Sequence, residues 1–151
     1  MQQYFIRQFN YDRHVNQLML DAIAASANPG DSVKLMAHLL ATQQVWLMRC
    51  KQKAYTGAIW PDTLFADMSA ILEENHAAWL NYLENLPDDG FDQIVDYKNS
   101  RGIPYSGKIS DILAHVINHG THHRAQSGQY LKTADTPLPV TDYIYYIWQQ
   151  Q

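Results

Sequence analysis

The stretch SDILAHVINHGTHHRAQSGQYLK, residues 110–132, decides how the rest of the chain is read. Ser110 or its neighbour is placed to cap a helix that runs to about Lys132. Four of the chain's seven histidines, His115, His119, His122 and His123, fall within nine residues of it. Histidine is neither a strong helix former nor an easy core residue, so this density asks for a chemical reason. His119 and His123 are four apart and project from one helix face about 40° apart. Two imidazoles in that relation can converge on one cation, as the first and last positions of H-E-x-x-H do. His122 points about 100° away from His123, so the two are not expected to share an ion. His115, one turn before His119, is a candidate ligand, supporting residue or core residue. The supporting role is favoured, because a ligating imidazole needs its other ring nitrogen oriented.

Working outward, the periodicity predicts three more long helices. From 5 to about 27, Phe5, Phe9, Leu18 and Ile23 recur at helical steps until Asn28-Pro29-Gly30 breaks the pattern. Asp31 or Ser32 caps a second helix to about 53, carrying Val33, Leu35, Met36, Leu39, Leu40, Val45, Trp46 and Leu47. Pro61 or Asp62 opens a third, with Leu64, Phe65, Met68, Ile71, Leu72, Trp79, Leu80 and Leu83, ended at Pro87-Asp88-Asp89-Gly90. Residues 91–109 read as a small hairpin or irregular insert, turning at Asn99-Ser100-Arg101-Gly102. Pro104 disfavours a central strand there. After Thr136-Pro137-Leu138-Pro139, Thr141-Asp142 caps a short final helix over Tyr143, Ile144, Tyr146, Ile147 and Trp148, followed by Gln149-Gln150-Gln151. The expected fold class is all-α, an up-and-down four-helix bundle. Links 1–2 and 2–3 look short enough to make antiparallel neighbours, so helices 2 and 4 would run parallel. The many Tyr and Trp residues are expected to pack the core.

At 151 residues the chain is long enough for one domain, 1–151, with a real core. Apolar content of 46% and charged content of 17% fit a globular chain. A formal charge of −4 with scattered Lys and Arg argues against nucleic acid or an anionic membrane as partner. No apolar h-region opens the sequence, and no apolar run approaches the roughly 18 residues of a spanning helix. Cys50 is the only cysteine, so no internal disulfide forms and a cytoplasmic, reducing setting is expected. Cys50 has no local support as a nucleophile.

Two histidines do not make a stable site, and His38 is the candidate third. It lies about seven residues into helix 2, roughly 10 Å of axial depth against roughly 14–20 Å for His119 and His123 in helix 4. Three histidines with a water in the fourth position make a catalytic type of site. Neutral imidazole suits Zn, Ni, Fe and Cu alike. A di-iron bundle needs Glu-x-x-His on each of two helices, and only Glu73/His76 has that spacing. No G-x-S-x-G, P-loop or dinucleotide fingerprint is present.

The run HVINHGTHHRAQ at 115–126 resembles the signature of the DinB-like (damage-inducible) family of metal-dependent enzymes. YDRHVNQLMLDAI at 11–23, AHLLATQQVWLMR at 37–49 and DYIYYIWQ at 142–149 match in order, so the resemblance covers nearly the whole chain. It implies an up-and-down four-helix bundle of the mirror hand, usually dimeric. It also implies a divalent ion, commonly nickel or zinc with iron or manganese as rarer choices, on His38, His119 and His123. Ala125 stands where the family often has Gly, and His14 where it often has an aromatic residue. His14 is thereby a candidate for the pocket mouth.

The resemblance implies a thiol-dependent transferase or hydrolase that uses a low-molecular-weight thiol and a small-molecule substrate. A divalent ion on three neutral imidazoles would lower the pKa of a bound water towards ~7 or deprotonate a bound thiol. Arg124 and His122 are candidates for contacting an anionic substrate, or else surface or dimer contacts. No general base is evident, so the catalytic residues stay unknown. The alternative is a non-catalytic metal-binding stress-response protein.

Overall fold

Helix α1 spans Gln2–Ala25 and α2 spans Ser32–Cys50. Helix α3 spans Met68–Glu84, strands β1 and β2 span Ile94–Lys98 and Pro104–Lys108, α4 spans Ile109–Thr133 and α5 spans Tyr143–Trp148. This computed structural model describes residues 1–150; Gln151, the end of the glutamine run, lies outside them. The chain is thus mostly helical with one small antiparallel hairpin, in which Tyr97 sits opposite Tyr105 and Lys98 opposite Pro104. The Asn99 side chain accepts from the Arg101 and Ile103 amides and closes the turn, helped by Gly102 at φ +78°.

Side-chain contacts define the sense of each helix pair. α1 and α3 are antiparallel: Gln2 donates to the Leu83 carbonyl, Phe9 packs on Trp79, and Arg13 pairs with Glu73. α2 and α4 are antiparallel too, with Ser32 donating to the Ser127 carbonyl, His38 against His123 and Trp46 against His115. α1 runs parallel to α4, since Asp12 abuts Gly120, Asn16 meets Arg124, and Thr136 past α4 donates to Ser26 past α1. α2 runs parallel to α3: Leu40 clusters with Leu72, Gln44 donates to Asn75, and Leu47 clusters with Trp79.

This corrects the expected order. α1 and α2 are not closely packed neighbours although their link is short, and α2 and α4 run antiparallel, not parallel. The cause is the segment 51–64. Pro61 and Asp62 do not open a helix; α3 begins at Met68, after a 3-10 turn over Phe65–Asp67. The segment is therefore long enough to travel back along α2, roughly 20 Å, and start α3 in the same direction.

Two apolar clusters fill the interior. One gathers Phe5, Phe9, Leu47, Trp79, Leu83, Phe91 and Leu113; the other gathers Met19, Leu20, Met36, Leu40, Met68, Leu72 and Leu131. Aromatic residues are split between inside and outside. Trp79 is buried, but Trp60 and Trp148 are more than half exposed, because one sits on the 51–64 segment and the other on α5.

Buried polar residues form a layer at the middle of the helices. The Asp12 carboxylate accepts from Arg124, Asn16 and Gln43, and Asn75 donates to Gln43 and to the Leu40 carbonyl. All four long helices meet in this network. Gly120 permits it, since a Cβ there would stand 2.6 Å from the Asp12 carboxylate and 2.9 Å from the Arg124 guanidinium. No helix is long and apolar enough to cross a membrane, among the described residues.

Candidate metal centre

The antiparallel seam of α2 and α4 sets His38 beside His123 and Thr42 beside His119. One ring nitrogen from each of His38, His119 and His123 lies within 4.8 Å of the others. His38 and His123 are buried; His119 is half-buried.

Hydrogen bonds at the far side of each ring define which nitrogen is free. His38 Nδ1 lies 2.7 Å from the Ile59 carbonyl, which can only accept, so Nδ1 carries the proton. His123 Nδ1 donates to Gln126 Oε1 at 2.7 Å. Thr42 donates its hydroxyl to the Leu39 carbonyl, leaving its oxygen to accept the longer bond from His119 Nδ1 at 3.4 Å. All three rings are thereby held in the tautomer that leaves a lone pair on Nε2. The Nε2 atoms of His119 and His123 face each other at 3.1 Å. Two lone pairs at that separation repel unless a positive charge lies between them. A tetrahedral ion with nitrogen ligands at 2.0–2.1 Å spaces those nitrogens by roughly 3.3 Å, so the donor set fits a divalent metal.

Electrostatics favour the neutral, ligating form. Burial, reinforced by His123 and His38, pushes His119 down to about 3. Burial also lowers His38 and His123, against the opposing pull of the Ile59 carbonyl on the first and Gln126 on the second. The indole of Trp60 stacks on the His38 ring, centroids 3.7 Å apart and planes 6° apart. Residues 59 and 60 thus grip His38 from two directions, one through a carbonyl and one through a ring face.

The other candidate residues are dispersed. His115 is exposed; its ring meets Trp46 edge-on and lies 5.6 Å from the His119 ring. Among the described residues it makes no hydrogen bond to a triad histidine, so the supporting contacts come instead from Ile59, Gln126 and Thr42. His122 is exposed and edge-on to His123. Arg124 is not a surface residue: it is buried in the ion pair with Asp12. Its position one residue after His123 turns it towards α1. His14 stands on α1 against Tyr146, in a shallow cavity with Asn10, Arg13 and His76, away from the α2/α4 seam. His76 donates to or accepts from Asn10 and does not join the triad. Cys50 is buried, and burial pushes its thiol up to about 12, so no thiolate forms near neutrality.

Sequence spacing had a signal for two of the missed partners. Gln126 is three residues after His123, and Thr42 four after His38, both same-face helical positions. The Ile59 carbonyl had none, because any residue supplies one.

Four long helices with three imidazoles converging through Nε2 describe a helical protein with a candidate site for one divalent cation. The sequence model of the DinB family matches residues 13–151, and the chain belongs to that family. No curated protein and no solved structure matches the chain.

Proposed function

We propose that the chain binds one divalent metal ion, nickel or zinc, through Nε2 of His38, His119 and His123. We read it as a metal-dependent enzyme of the thiol-dependent transferase or hydrolase type. The observation that carries this reading is the shared tautomer: three separate hydrogen bonds leave three Nε2 lone pairs in one place. When bound, such an ion supplies a Lewis-acid centre that makes a thiol or water acidic near neutral pH.

The chain's own residues do the rest. Ile59, Thr42 and Gln126 keep the Nδ1 protons, so each ring offers its ligand nitrogen without first losing a proton. Trp60 shields one face of His38 from water and restrains its rotation. The low proton affinity of His119 reduces competition between protons and metal. In this reading the four long helices form a bundle of the mirror hand that runs up, down, down and up, and the protein is a cytoplasmic homodimer with a low-molecular-weight thiol as cosubstrate.

Metal content of protein purified without a histidine tag and offered zinc or nickel tests the proposal. It should reach about one equivalent, and fall below ~0.2 in His123→Ala. Wild-type protein below ~0.2 equivalents overturns the reading. Retention by His123→Ala would shift the site to His115 or His122. Turnover of the loaded protein with thiols and electrophiles then separates an enzyme from a metal binder.

A further inference from the structure

A sizeable cavity lies apart from the three histidines. It has a volume of about 920 Å³ and lies between the C-terminal half of α2, the start of the 51–64 segment and the hairpin. None of the triad lines it, but Ile59 does, and the Ile59 carbonyl holds His38. A cavity of this size falls within the range of small-molecule sites.

Its walls differ from the rest of the chain in charge. Arg49, Lys53 and Lys98 line it against a single carboxylate, Asp96, on a chain whose formal charge is −4. Arg49 is half-buried and held in place: its guanidinium lies 4.3 Å from the Trp46 ring centroid and 5.0 Å from that of Tyr97. Among the described residues it donates one hydrogen bond, to the Lys98 carbonyl. The guanidinium carries five N–H donors in a planar fork, so most of them remain for a ligand. Tyr97 and Tyr105 stack across the hairpin with centroids 6.2 Å apart and present flat apolar surface beside the cation.

We infer that this cavity binds a small organic anion, a carboxylate on a flat unsaturated body, with Arg49 taking the carboxylate and Tyr97 and Tyr105 taking the body. Lys53, exposed at the cavity wall, adds long-range attraction. The inference reaches beyond the metal reading and does not need it, because no triad residue contributes.

The test is a pair of titrations on the purified full chain, without metal and with zinc, using 2-naphthoate and its uncharged amide. The carboxylate should bind at least about tenfold tighter than the amide, as expected of a charge-assisted bond. Arg49→Gln should remove that preference. Lys53→Gln, a surface change that leaves the fold untouched, should weaken the carboxylate about two- to threefold at low salt and not at high salt. Equal binding of the two probes, no binding of either at millimolar concentration, or an unchanged preference in a folded Arg49→Gln protein would each overturn the inference. A chain that binds the carboxylate but no metal would refute the metal reading alone.

Discussion

At the scale of single residues, the groups that hold the histidines matter as much as the histidines. Removing a hydrogen-bond partner of a metal-ligating imidazole typically costs 10–100-fold in affinity. Gln126→Ala should therefore raise the zinc dissociation constant about tenfold, read by competition with a chelator. Trp60→Ala should do the same while leaving the melting temperature of metal-free protein within about a degree or two, since Trp60 is more than half exposed. An unchanged zinc affinity in both variants would mean that the rings need no such support. The burial of His119 also has a sign. Its folded value of about 3 lies below its ordinary 6.5, so above 6.5 the ring is neutral in both states and its contribution is fully present. As pH falls from 6.5 towards 3, the unfolded chain takes up a proton that the folded chain refuses, and stability is lost across that window. His38 and His123, also lowered by burial, act in the same direction. Thermal melts of metal-free protein should thus drop between about pH 7 and pH 5, with a shallower drop in His119→Gln. The i, i+4 pair was readable because helical geometry places side chains by count, whereas the depth argument for His38 assumed parallel α2 and α4, and His38 meets the pair across an antiparallel seam instead. Arg124 was misread because its partner, Asp12, is 112 positions away.

At the scale of elements, periodicity located every long helix, the hairpin and α5, because each carries its own apolar repeat and breaker. The start of α3 and the pairing of the helices were not legible. A proline before an apolar run reads as a helix start, and nothing local says that 51–64 must instead cover α2. The polar layer was equally hidden, since Asp12, Gln43, Asn75 and Arg124 meet only after the helices do. That layer makes Gly120 and Arg124 sensitive points. Gly120→Ala forces either Asp12 or Arg124 to move and should destabilise the chain by roughly 1–3 kcal/mol in urea unfolding. Arg124→Met leaves the Asp12 carboxylate buried without its cation and should cost roughly 3–5 kcal/mol. Replacing Asp12 and Arg124 together by apolar residues should recover much of that loss. If Arg124→Met proved as stable as the parent, the network would be incidental to the fold.

At the scale of the whole molecule, the two proposed binding regions share one segment. Residues 51–64 line the large cavity at one end and grip His38 at the other. The same segment has a kinetic consequence. Helical proteins usually fold fast because helices adjacent in sequence dock on each other first. Here α1 and α2 meet only through side chains, in the Gln43–Asp12 bond and one apolar cluster that α3 and α4 complete, so the hairpin of helices made first on the chain is held weakly. The most extensive helix pairs are α2 with α4 and α1 with α3, whose contacts join residues such as Ser32 with Ser127 and Phe9 with Trp79. Closing such loops costs chain entropy before any apolar contact offsets it. Stopped-flow refolding should accordingly run slower than in a bundle of equal length with sequential neighbours, and a fragment ending after α2 should stay unfolded. A chain emerging from a ribosome would have to wait for α3 before any part of it could settle.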